Sequence, residues 1–231
     1  MENHKEAEKE LAAKEAVKLI RDGAVVGLGT GSTAYYAIKE IALLVKQGMH
    51  IQGIPTSEKT KSLALSLNIP LIDINTVSVI DITIDGADEF TEQLYLIKGG
   101  GGALVREKII ASMTKQEIII ADTSKKVDQL GKFTVPIAIV PFAQQYVLQQ
   151  LEKINGKGLL RKKNEIVFIT DDGNHIIDAD FGLIKDPVAL ADSFNTIEGI
   201  VAHGLFVSLA QRVIMGTGNG TQIFYNTNFE H

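Results

Sequence analysis

The chain has 231 residues, of which 45% are apolar, 22% charged and 6% aromatic, and this globular composition excludes a disordered, collagen-like or coiled-coil protein. Because it contains no cysteine, disulfides, thiolate zinc sites, iron–sulfur clusters and cysteine nucleophiles are excluded together. The formal net charge is −5 at pH 7 and the lysines form no basic stripe, so we expect no nucleic-acid partner. No apolar run approaches about 18 residues, so we expect no membrane span.

The first half of the chain alternates predicted helices with predicted strands. Residues 5–22 are predicted to form an amphipathic helix, because Ala12, Ala16 and Ile20 recur at helical spacing. This segment lacks the apolar core of a signal peptide, so we expect a cytoplasmic protein. The elements that follow are predicted strands at 24–28, 51–54, 71–74, 79–84 and 117–121, and predicted helices at 34–46, at 103–113 and from a Thr56-Ser57 cap to Leu67.

After residue 124 the pattern changes to that of a smaller α+β unit. An Asp-Gly turn between two apolar runs is a hairpin signal. The predicted elements are a strand at 135–140, a helix at 144–154, hairpin strands at 164–170 and 175–180, and terminal strands at 212–215 and 222–225.

The order of these elements predicts an α/β fold. Strand–helix alternation indicates a Rossmann-like parallel sheet flanked by helices, which we assign to residues 1–132 and 204–231. A second, smaller α+β domain is predicted for residues 133–203. The terminal strands are expected to return to the first unit.

A glycine-rich segment, Gly29-Thr30-Gly31-Ser32-Thr33, joins the first predicted strand to a helix. The backbone N–H groups at a helix start favour an anion, and the hydroxyls add donors. The segment is not a dinucleotide fingerprint, which needs glycine at position 32, and no Gly-Lys-Ser/Thr follows to make a P-loop. By itself it is either a phosphate-binding turn or a glycine-rich turn of the kind common in α/β proteins.

A carboxylate cluster follows a later strand in the segment Asp85-Gly86-Ala87-Asp88-Glu89. Parallel sheets bind ligands at the carboxyl ends of their strands, so Asp85 and Asp88 can point into one crevice. The alternative is a polar turn whose Asp residues cap a helix. The spacing does not fit a calcium loop, and magnesium coordination by the same carboxylates stays open but has no support in the sequence, so no metal site is predicted.

The segment Lys98-Gly99-Gly100-Gly101-Gly102 places four consecutive glycines before the helix predicted at 103–113. Ordering such a run costs conformational entropy, and flexible surface loops seldom carry an apolar helix directly behind them. The pattern favours backbone N–H groups brought close to a ligand beside the charge of Lys98. Glu107, one turn into the helix, either faces that ligand or is an exposed residue paired with a cation.

Polar residues also follow the strand at 117–121, in the segment Asp122-Thr123-Ser124-Lys125-Lys126. Either lysine can contact a phosphate as a point charge, although surface lysines after a strand are common. The five histidines, among them His231, are scattered, and neither a histidine metal site nor a Ser-His-Asp triad is indicated.

All four segments are expected at C-terminal ends of strands, and therefore at one edge of the sheet. Together they would supply hydroxyls, glycine amides, carboxylates and lysines. This set is suited to proton transfer on a phosphorylated polyol rather than to redox or metal chemistry.

The motifs, taken in this order, resemble ribose-5-phosphate isomerase, type A. The resemblance rests on four segments, Gly29–Thr33, Asp85–Glu89, Ile97–Gly101 and Arg106–Lys108. Order and spacing are kept from Lys9 to Lys132, and the 216–225 tail also fits. The resemblance implies a cofactor-free aldose–ketose isomerase of D-ribose 5-phosphate and D-ribulose 5-phosphate in the pentose phosphate pathway, with a homodimer or higher homo-oligomer as its assembly.

The resemblance also implies a role for each matching residue. Glu107 would be the base that moves a proton between C1 and C2 through a cis-enediolate, with Lys98 and the amides of residues 99–101 stabilising the oxyanion. Asp85 and Asp88 would bind sugar hydroxyls and assist ring opening. The substrate contacts it implies are Thr30, Gly31, Ser32, Thr33, Asp85, Gly86, Ala87, Asp88, Lys98, Gly99, Gly100, Gly101, Lys125 and, near the phosphate, Lys9.

Two other functions stay open on the residues alone. An amino-sugar-phosphate deaminase or a CoA transferase builds a different site on a similar sheet, and fold analogy does not separate these enzymes from the isomerase. The ordered Asp, Lys and Glu set favours the isomerase. A non-catalytic sugar-phosphate sensor usually carries a DNA-binding domain, and we expect none in the roughly 24 residues before the first strand.

Overall fold

The computed structural model describes residues 2–226, with side chains from His4 onward. The helices are α1 Glu2–Val17, α2 Ser32–Lys46, α3 Glu58–Ser66, α4 Leu104–Ser112, α5 Gln144–Lys153 and α6 Pro187–Asn195. The strands are β1 Val25–Leu28, β2 Gln52–Pro55, β3 Ile80–Gly86, β4 Glu89–Phe90, β5 Leu96–Ile97, β6 Thr114–Ala121, β7 Val135–Ile139, β8 Lys157–Leu160, β9 Lys162–Lys163, β10 Ile166–Val167, β11 His175–Asp180, β12 Ile200–His203, β13 Leu205–Phe206, β14 Arg212–Thr217 and β15 Gly220–Tyr225. Within residues 2–226, no helix is both long and apolar enough to cross a bilayer.

Six strands form a central sheet in the order β15-β14-β6-β3-β1-β2. The strands from β14 to β2 are parallel, and β15 pairs antiparallel with β14. On one face, Ile84 and Ile120 pack with α1 and α2, and on the other face Ile119 packs with Phe206 and with Ala111 of α4. Burial on both faces explains why these strands are continuous apolar runs. The predicted α/β fold, a mostly parallel sheet flanked by helices, is confirmed.

A second, antiparallel sheet has the order β12-β7-β11-β8. Val147 of α5 and Phe194 of α6 lie in one core cluster with Ile137 and Ile177 of this sheet. A third sheet of two-residue strands, β13-β5-β4, pairs the segment before the glycine run with the segment before β14.

The predicted division into residues 1–132 with 204–231 and residues 133–203 stays a prediction. The stretch 227–231, which includes His231, lies outside the described residues.

The strand predicted at 71–74 is wrong. Leu71 makes only an isolated parallel bridge, and a 3-10 turn follows at Ile74–Thr76. The Asp73 carboxylate accepts a hydrogen bond from the Asn75 N–H at 2.9 Å. This local bond gives the backbone a partner outside the sheet and so favours a turn over a strand.

The strand predicted at 164–170 is confirmed only over Ile166–Val167, and its predicted hairpin pairing with residues 175–180 is wrong. β11 pairs with β7 and β8, whereas β10 folds back on β9. Asn164 and Glu165 have φ values of 51° and 62°, and two successive positive φ angles make the tight turn that joins β9 to β10. The Asp-Gly turn at 171–174 is closed by a single antiparallel bridge.

Two helices also differ from expectation. α1 ends at Val17 rather than at residue 22, because the N–H groups of Leu19 and Ile20 bond to carbonyls three residues back and tighten the chain into a 3-10 turn. α6 was not predicted, although Asp186 caps it and Pro187 occupies its first position, which together are a helix-start signal. The remaining predicted elements are confirmed with small shifts of their ends.

Gly216 lies on β14 where α1 crosses the sheet. A Cβ at this position would stand 1.8 Å from the Glu8 carbonyl oxygen. We predict that Gly216→Ala lowers the free energy of unfolding by about 1–3 kcal/mol, because the helix must move away from the sheet. Urea unfolding measures the loss. Gly218→Ala is the control, since a Cβ at Gly218 meets no atom within 4 Å, and equal stabilities of the two variants would contradict the prediction.

Candidate active site

The predicted polar segments meet in one cleft at the C-terminal edge of the central sheet, with about 430 Å³ of empty space. Its lining residues are Thr30, Gly31, Ser32, Thr33, Gly86, Ala87, Asp88, Lys98, Gly99, Gly100, Gly101, Glu107 and Lys125. Two more predicted residues contact this lining, Asp85 through Lys98 and Lys9 through Ser32. The structure therefore brings every predicted site residue together, while the roles of these residues stay predictions.

Lys98 lies at the centre of the charged groups of the cleft. Its side chain is 1% exposed, and its Nζ lies 2.9 Å from Asp85 Oδ2 and 3.5 Å from Glu107 Oε1. The same ammonium donates a short hydrogen bond to the Gly86 carbonyl oxygen, and it lies 5.4 Å from the centre of the Phe206 ring. A buried ammonium needs such partners to replace lost water. The result is one positive charge held at a fixed place.

The charged groups around Lys98 differ in their affinity for protons. Burial raises the pKa of Glu107; the Lys98 ammonium opposes this rise, and the Asp85 and Asp88 carboxylates add to it. Burial by itself would lower the pKa of Lys98, but the neighbouring carboxylates outweigh burial and leave that pKa raised. Within the described residues, Glu107 Oε2 is buried without a hydrogen-bond partner. Lys98 thus stays charged while Glu107 has an oxygen available for a proton.

Asp85 joins the end of β1 to the end of β3. Its Oδ1 accepts hydrogen bonds from the Thr30 N–H at 3.0 Å and the Gly86 N–H at 2.7 Å. A Cβ at Gly29 would stand 2.2 Å from the same oxygen. Glycine at position 29 therefore allows the loop after β1 to approach the carboxylate.

The glycine run from 99 to 102 turns sharply before α4. Gly99 and Gly102 have φ values of 99° and 85°, a region that glycine enters without strain. Asp88 Oδ2 accepts a hydrogen bond from the Gly100 N–H at 2.7 Å. A Cβ at Gly100 would stand 2.5 Å from Asp88 Oδ1, so this contact needs glycine.

The N-terminus of α2 forms another part of the cleft. The first N–H groups of a helix have no intrahelical partner, and among the residues that the structure describes no side chain caps α2. Lys9 of α1 donates to Ser32 Oγ at 3.1 Å and to Glu6 Oε1 at 2.7 Å, and Lys125 also lines the cleft. Two lysines near a helix N-terminus can hold a phosphate.

Sequence reasoning missed two polar groups around the cleft. Thr30 Oγ1 lies 2.7 Å from Thr56 Oγ1, 2.8 Å from Ser57 Oγ and 3.1 Å from Thr60 Oγ1. Glu117 of β6 is 1% exposed, and burial raises the pKa of its carboxyl group. An acidic residue directly before a buried apolar run is the signal that identifies Glu117, whereas nothing local indicates that the three hydroxyls meet Thr30.

The cations on either side of Glu107 bind other groups. Arg106 pairs with Asp172 at 2.8 Å, and Lys108 donates to the Leu205 carbonyl oxygen at 2.9 Å. Glu107 therefore has Lys98 as its ion-pair partner and is not drawn outward by its neighbours along the helix.

Metal-binding geometry is not found in the part of the chain that the structure describes: no three His, Asp or Glu side chains there are placed to hold a cation. The Asp85 and Asp88 carboxylates bind Lys98 and backbone N–H groups instead. The fixed positive charge of this cleft is an ammonium.

Comparison with known proteins assigns the chain to a family. The family model of ribose 5-phosphate isomerase A (phosphoriboisomerase A) matches residues 52–220. Ribose-5-phosphate isomerase A of Sphingopyxis alaskensis is 44% identical over 217 residues, which cover 94% of this chain and 95% of that protein. The Bacillus mycoides protein of the same name is 46% identical over 213 residues, covering 92% and 96%. The chain belongs to the ribose 5-phosphate isomerase A family.

Solved structures of the family have the same fold. A D-ribose-5-phosphate isomerase in complex with phospho-erythronic acid superposes with a TM-score of 0.91 at 43% identity, covering 94% of this chain and 97% of that one. The Methanocaldococcus jannaschii ribose 5-phosphate isomerase A gives a TM-score of 0.90 at 39% identity, with the same coverage. The resemblance described above is confirmed, and with it the class of aldose–ketose isomerase.

Replacing Lys98 would leave buried carboxylates without a counter-charge. We predict that Lys98→Met lowers the free energy of unfolding by about 3–5 kcal/mol at about pH 8. The loss should shrink at about pH 4, because the carboxyl groups of Glu107 and Glu117, whose pKa values burial raises, then bind protons in the folded state and need no counter-charge. Guanidinium unfolding at both pH values measures this, with the less buried Lys125→Met as control. A loss that is the same at both pH values would contradict the prediction.

Proposed function

We propose that this cleft interconverts D-ribose 5-phosphate and D-ribulose 5-phosphate by proton transfer through a cis-enediolate, a step of the non-oxidative pentose phosphate pathway. The main observation behind the proposal is the pairing of Glu107 with Lys98. Glu107 Oε1 lies 3.5 Å from the buried ammonium, and Oε2 has no hydrogen-bond partner among the described residues. Forming an enediolate needs a base and a fixed positive charge at adjacent atoms. The proton moves within one substrate, so the proposal requires no cofactor.

Glu107 is the proposed base. It takes the proton from C2 of the open-chain aldose, the electron pair of that C–H bond forms the C1–C2 double bond, and O1 becomes an oxyanion. Glu107 then returns the proton to C1 while the hydroxyl proton passes from O2 to O1. Aldose and ketose therefore contain the same atoms, and the general base supplies about 10²–10⁴-fold of the acceleration.

Lys98 and the amides of residues 99–101 are the proposed oxyanion stabilisers. Lys98 is held by Asp85 and the Gly86 carbonyl oxygen before substrate arrives, and donors fixed in advance need no reorganisation during the reaction. Among the described residues, the Gly101 N–H has no hydrogen-bond partner, so it is available to a substrate oxygen.

Asp85 and Asp88 are proposed to have different tasks in the site, and Asp88 is the proposed partner of the sugar hydroxyls. Both oxygens of Asp85 already bind protein groups, so we assign it mainly to holding Lys98. Asp88 lines the cleft and binds the Gly100 N–H. We assign ring opening to Asp88, which would take the O1 hydroxyl proton as the bond from C1 to the ring oxygen breaks and would then pass that proton to the ring oxygen.

The N-terminus of α2 with Lys9 and Lys125 is the proposed phosphate site, and Thr30–Thr33 are its backbone and hydroxyl donors. Phospho-erythronic acid, the ligand of the related solved structure, carries a phosphate at one end and a planar carboxylate at the other. A planar anion resembles an enediolate more closely than it resembles the neutral sugar. We propose that this chain binds the same acid.

Assembly and location are proposed from the family and its reaction. We propose a homodimer or a higher homo-oligomer, and the exposed side chains of Phe142, Leu159 and Ile166 offer apolar surface for contact between copies. A cytoplasmic location is proposed because the substrates are sugar phosphates of central metabolism.

Glu107→Gln tests the base. We predict that kcat falls by at least about 100-fold because the amide cannot accept the proton, while KM and the affinity for phospho-erythronic acid stay within about threefold. The assay follows ribulose 5-phosphate formation on metal-stripped protein. Glu117→Gln is the control, since it neutralises another buried carboxylate without removing the base. If the wild-type protein binds ribose 5-phosphate without turning it over, it is a sensor and not an isomerase. If Glu107→Gln turns over at a near-normal rate, Glu107 is not the base.

The pH dependence of kcat reports the same group. Because the pKa of Glu107 is raised and its ionised form is the base, kcat should fall with decreasing pH through a midpoint above 4.5. Asp88→Asn should move this midpoint to lower pH, since the Asp88 charge contributes to the rise. A midpoint that moves upward in Asp88→Asn would contradict this electrostatic coupling.

A further inference from the structure

The glycine run Gly99–Gly102, here called the glycine loop, is held by a side chain from the second sheet. Arg161 follows β8, and its Nη1 donates to the Gly99 carbonyl oxygen at 2.9 Å and to the Gly100 carbonyl oxygen at 3.2 Å. Its Nε donates to Asp178 Oδ2 at 2.8 Å, and its Nη2 donates to the other Asp178 oxygen. The Arg161 side chain is 13% exposed.

We propose that Arg161, oriented by Asp178, is a positioning residue that holds the glycine loop in the geometry required for oxyanion stabilisation. Arg161 is absent from the cleft lining and binds the loop through its carbonyl oxygens. Its influence would therefore pass through two peptide units. This inference rests on the proposed function, because it assigns a purpose to the loop amides.

Peptide geometry explains how a bond to a carbonyl orients an amide. A trans peptide unit is planar, so the C=O of one residue and the N–H of the next point in opposite directions. Binding the carbonyls of Gly99 and Gly100 to Arg161 directs the N–H groups of Gly100 and Gly101 away from the guanidinium. The Gly100 N–H meets Asp88, and the Gly101 N–H, which has no partner among the described residues, is left for substrate.

Glycines make such a clamp necessary. Without Cβ atoms, consecutive peptide units can rotate into many orientations at little steric cost. Donors stabilise a developing charge efficiently only if they are already oriented. Other contacts also restrain the loop: the Gly102 N–H donates to the Gly99 carbonyl oxygen at 3.0 Å, and a Cβ at Gly102 would stand 2.5 Å from the Phe168 ring. The Arg161 guanidinium lies 5.9 Å from the centre of that ring.

The chemistry of the clamp requires arginine. A guanidinium presents donors in a planar fork, so it can bind both oxygens of Asp178 with one edge and two carbonyls with the other nitrogen. A lysine ammonium retains the charge but not the fork. The effect of the positive charge at position 161 can therefore be separated from the effect of the fork geometry by replacing Arg161 with lysine.

Three variants test the proposal: Arg161→Met, Arg161→Lys and Asp178→Asn. We expect Arg161→Met to lower kcat by about tenfold to hundredfold, because the loop donors lose their fixed orientation. KM should change by less than about threefold. The affinity for ribitol 5-phosphate, which has no charge at C1, should also change by less than about threefold. By contrast, the affinity for phospho-erythronic acid, which has a carboxylate at that end, should fall along with kcat. Arg161→Lys should remain impaired, and Asp178→Asn should show a smaller loss with the same pattern.

Arg106→Met is the matched control, since Arg106 also pairs with an Asp, at 2.8 Å, but contacts no glycine-loop carbonyl. If Arg161→Met does not fold, as judged by circular dichroism, the other two variants decide. Unchanged kcat, full activity of Arg161→Lys, or equal weakening of both ligands would overturn the proposal. Near-normal turnover of Glu107→Gln would instead overturn the proposed function, so the two failures are distinguishable.

Discussion

The buried ammonium of Lys98 is the interaction on which the rest of the site depends. It pairs with Asp85 and Glu107 and lies at the meeting point of β3, the glycine loop and α4. A charge at this depth persists only because carboxylates and a carbonyl oxygen replace its water. Those same carboxylates are thereby kept close together, with Glu107 left short of hydrogen-bond partners. A single ion cluster therefore holds the cleft together and, among the described residues, leaves one oxygen of Glu107 without a hydrogen-bond partner.

The parallel sheet makes this cluster possible. β1, β3 and β6 end at one edge, so the polar segments that follow β1 and β3 face a common space. Glycine then allows backbones to approach where a side chain would collide: a Cβ at Gly204 would stand 2.3 Å from the Lys98 carbonyl oxygen. Side chains from outside the central sheet hold two of these segments in place. Arg161 donates a hydrogen bond to the glycine loop, and Lys9 donates one to Ser32 at the N-terminus of α2.

Much of this arrangement was predictable from local signals. The strand–helix alternation is recognisable from the spacing of apolar residues along the chain. The glycine run and the pair formed by Asp85 and Asp88 are recognisable from their local composition. The strand at 71–74 was mispredicted because a hydrogen bond from the Asp73 side chain competes with strand pairing. The contacts of Arg161 and of the hydroxyls around Thr30 were missed because they join residues far apart in sequence, and no local pattern encodes such pairs.

Deuterium at C2 of ribose 5-phosphate is the most direct probe of the proton transfer that we propose for Glu107. Turnover of the labelled aldose in ordinary water, followed by NMR of the ribulose 5-phosphate formed, shows where the label goes. A carboxylic acid exchanges its proton with solvent, so a carboxylate base predicts a primary isotope effect and loss of part of the deuterium from C1 of the product. Full retention of deuterium at C1 at every pH would indicate a direct hydride shift and would contradict the enediolate mechanism.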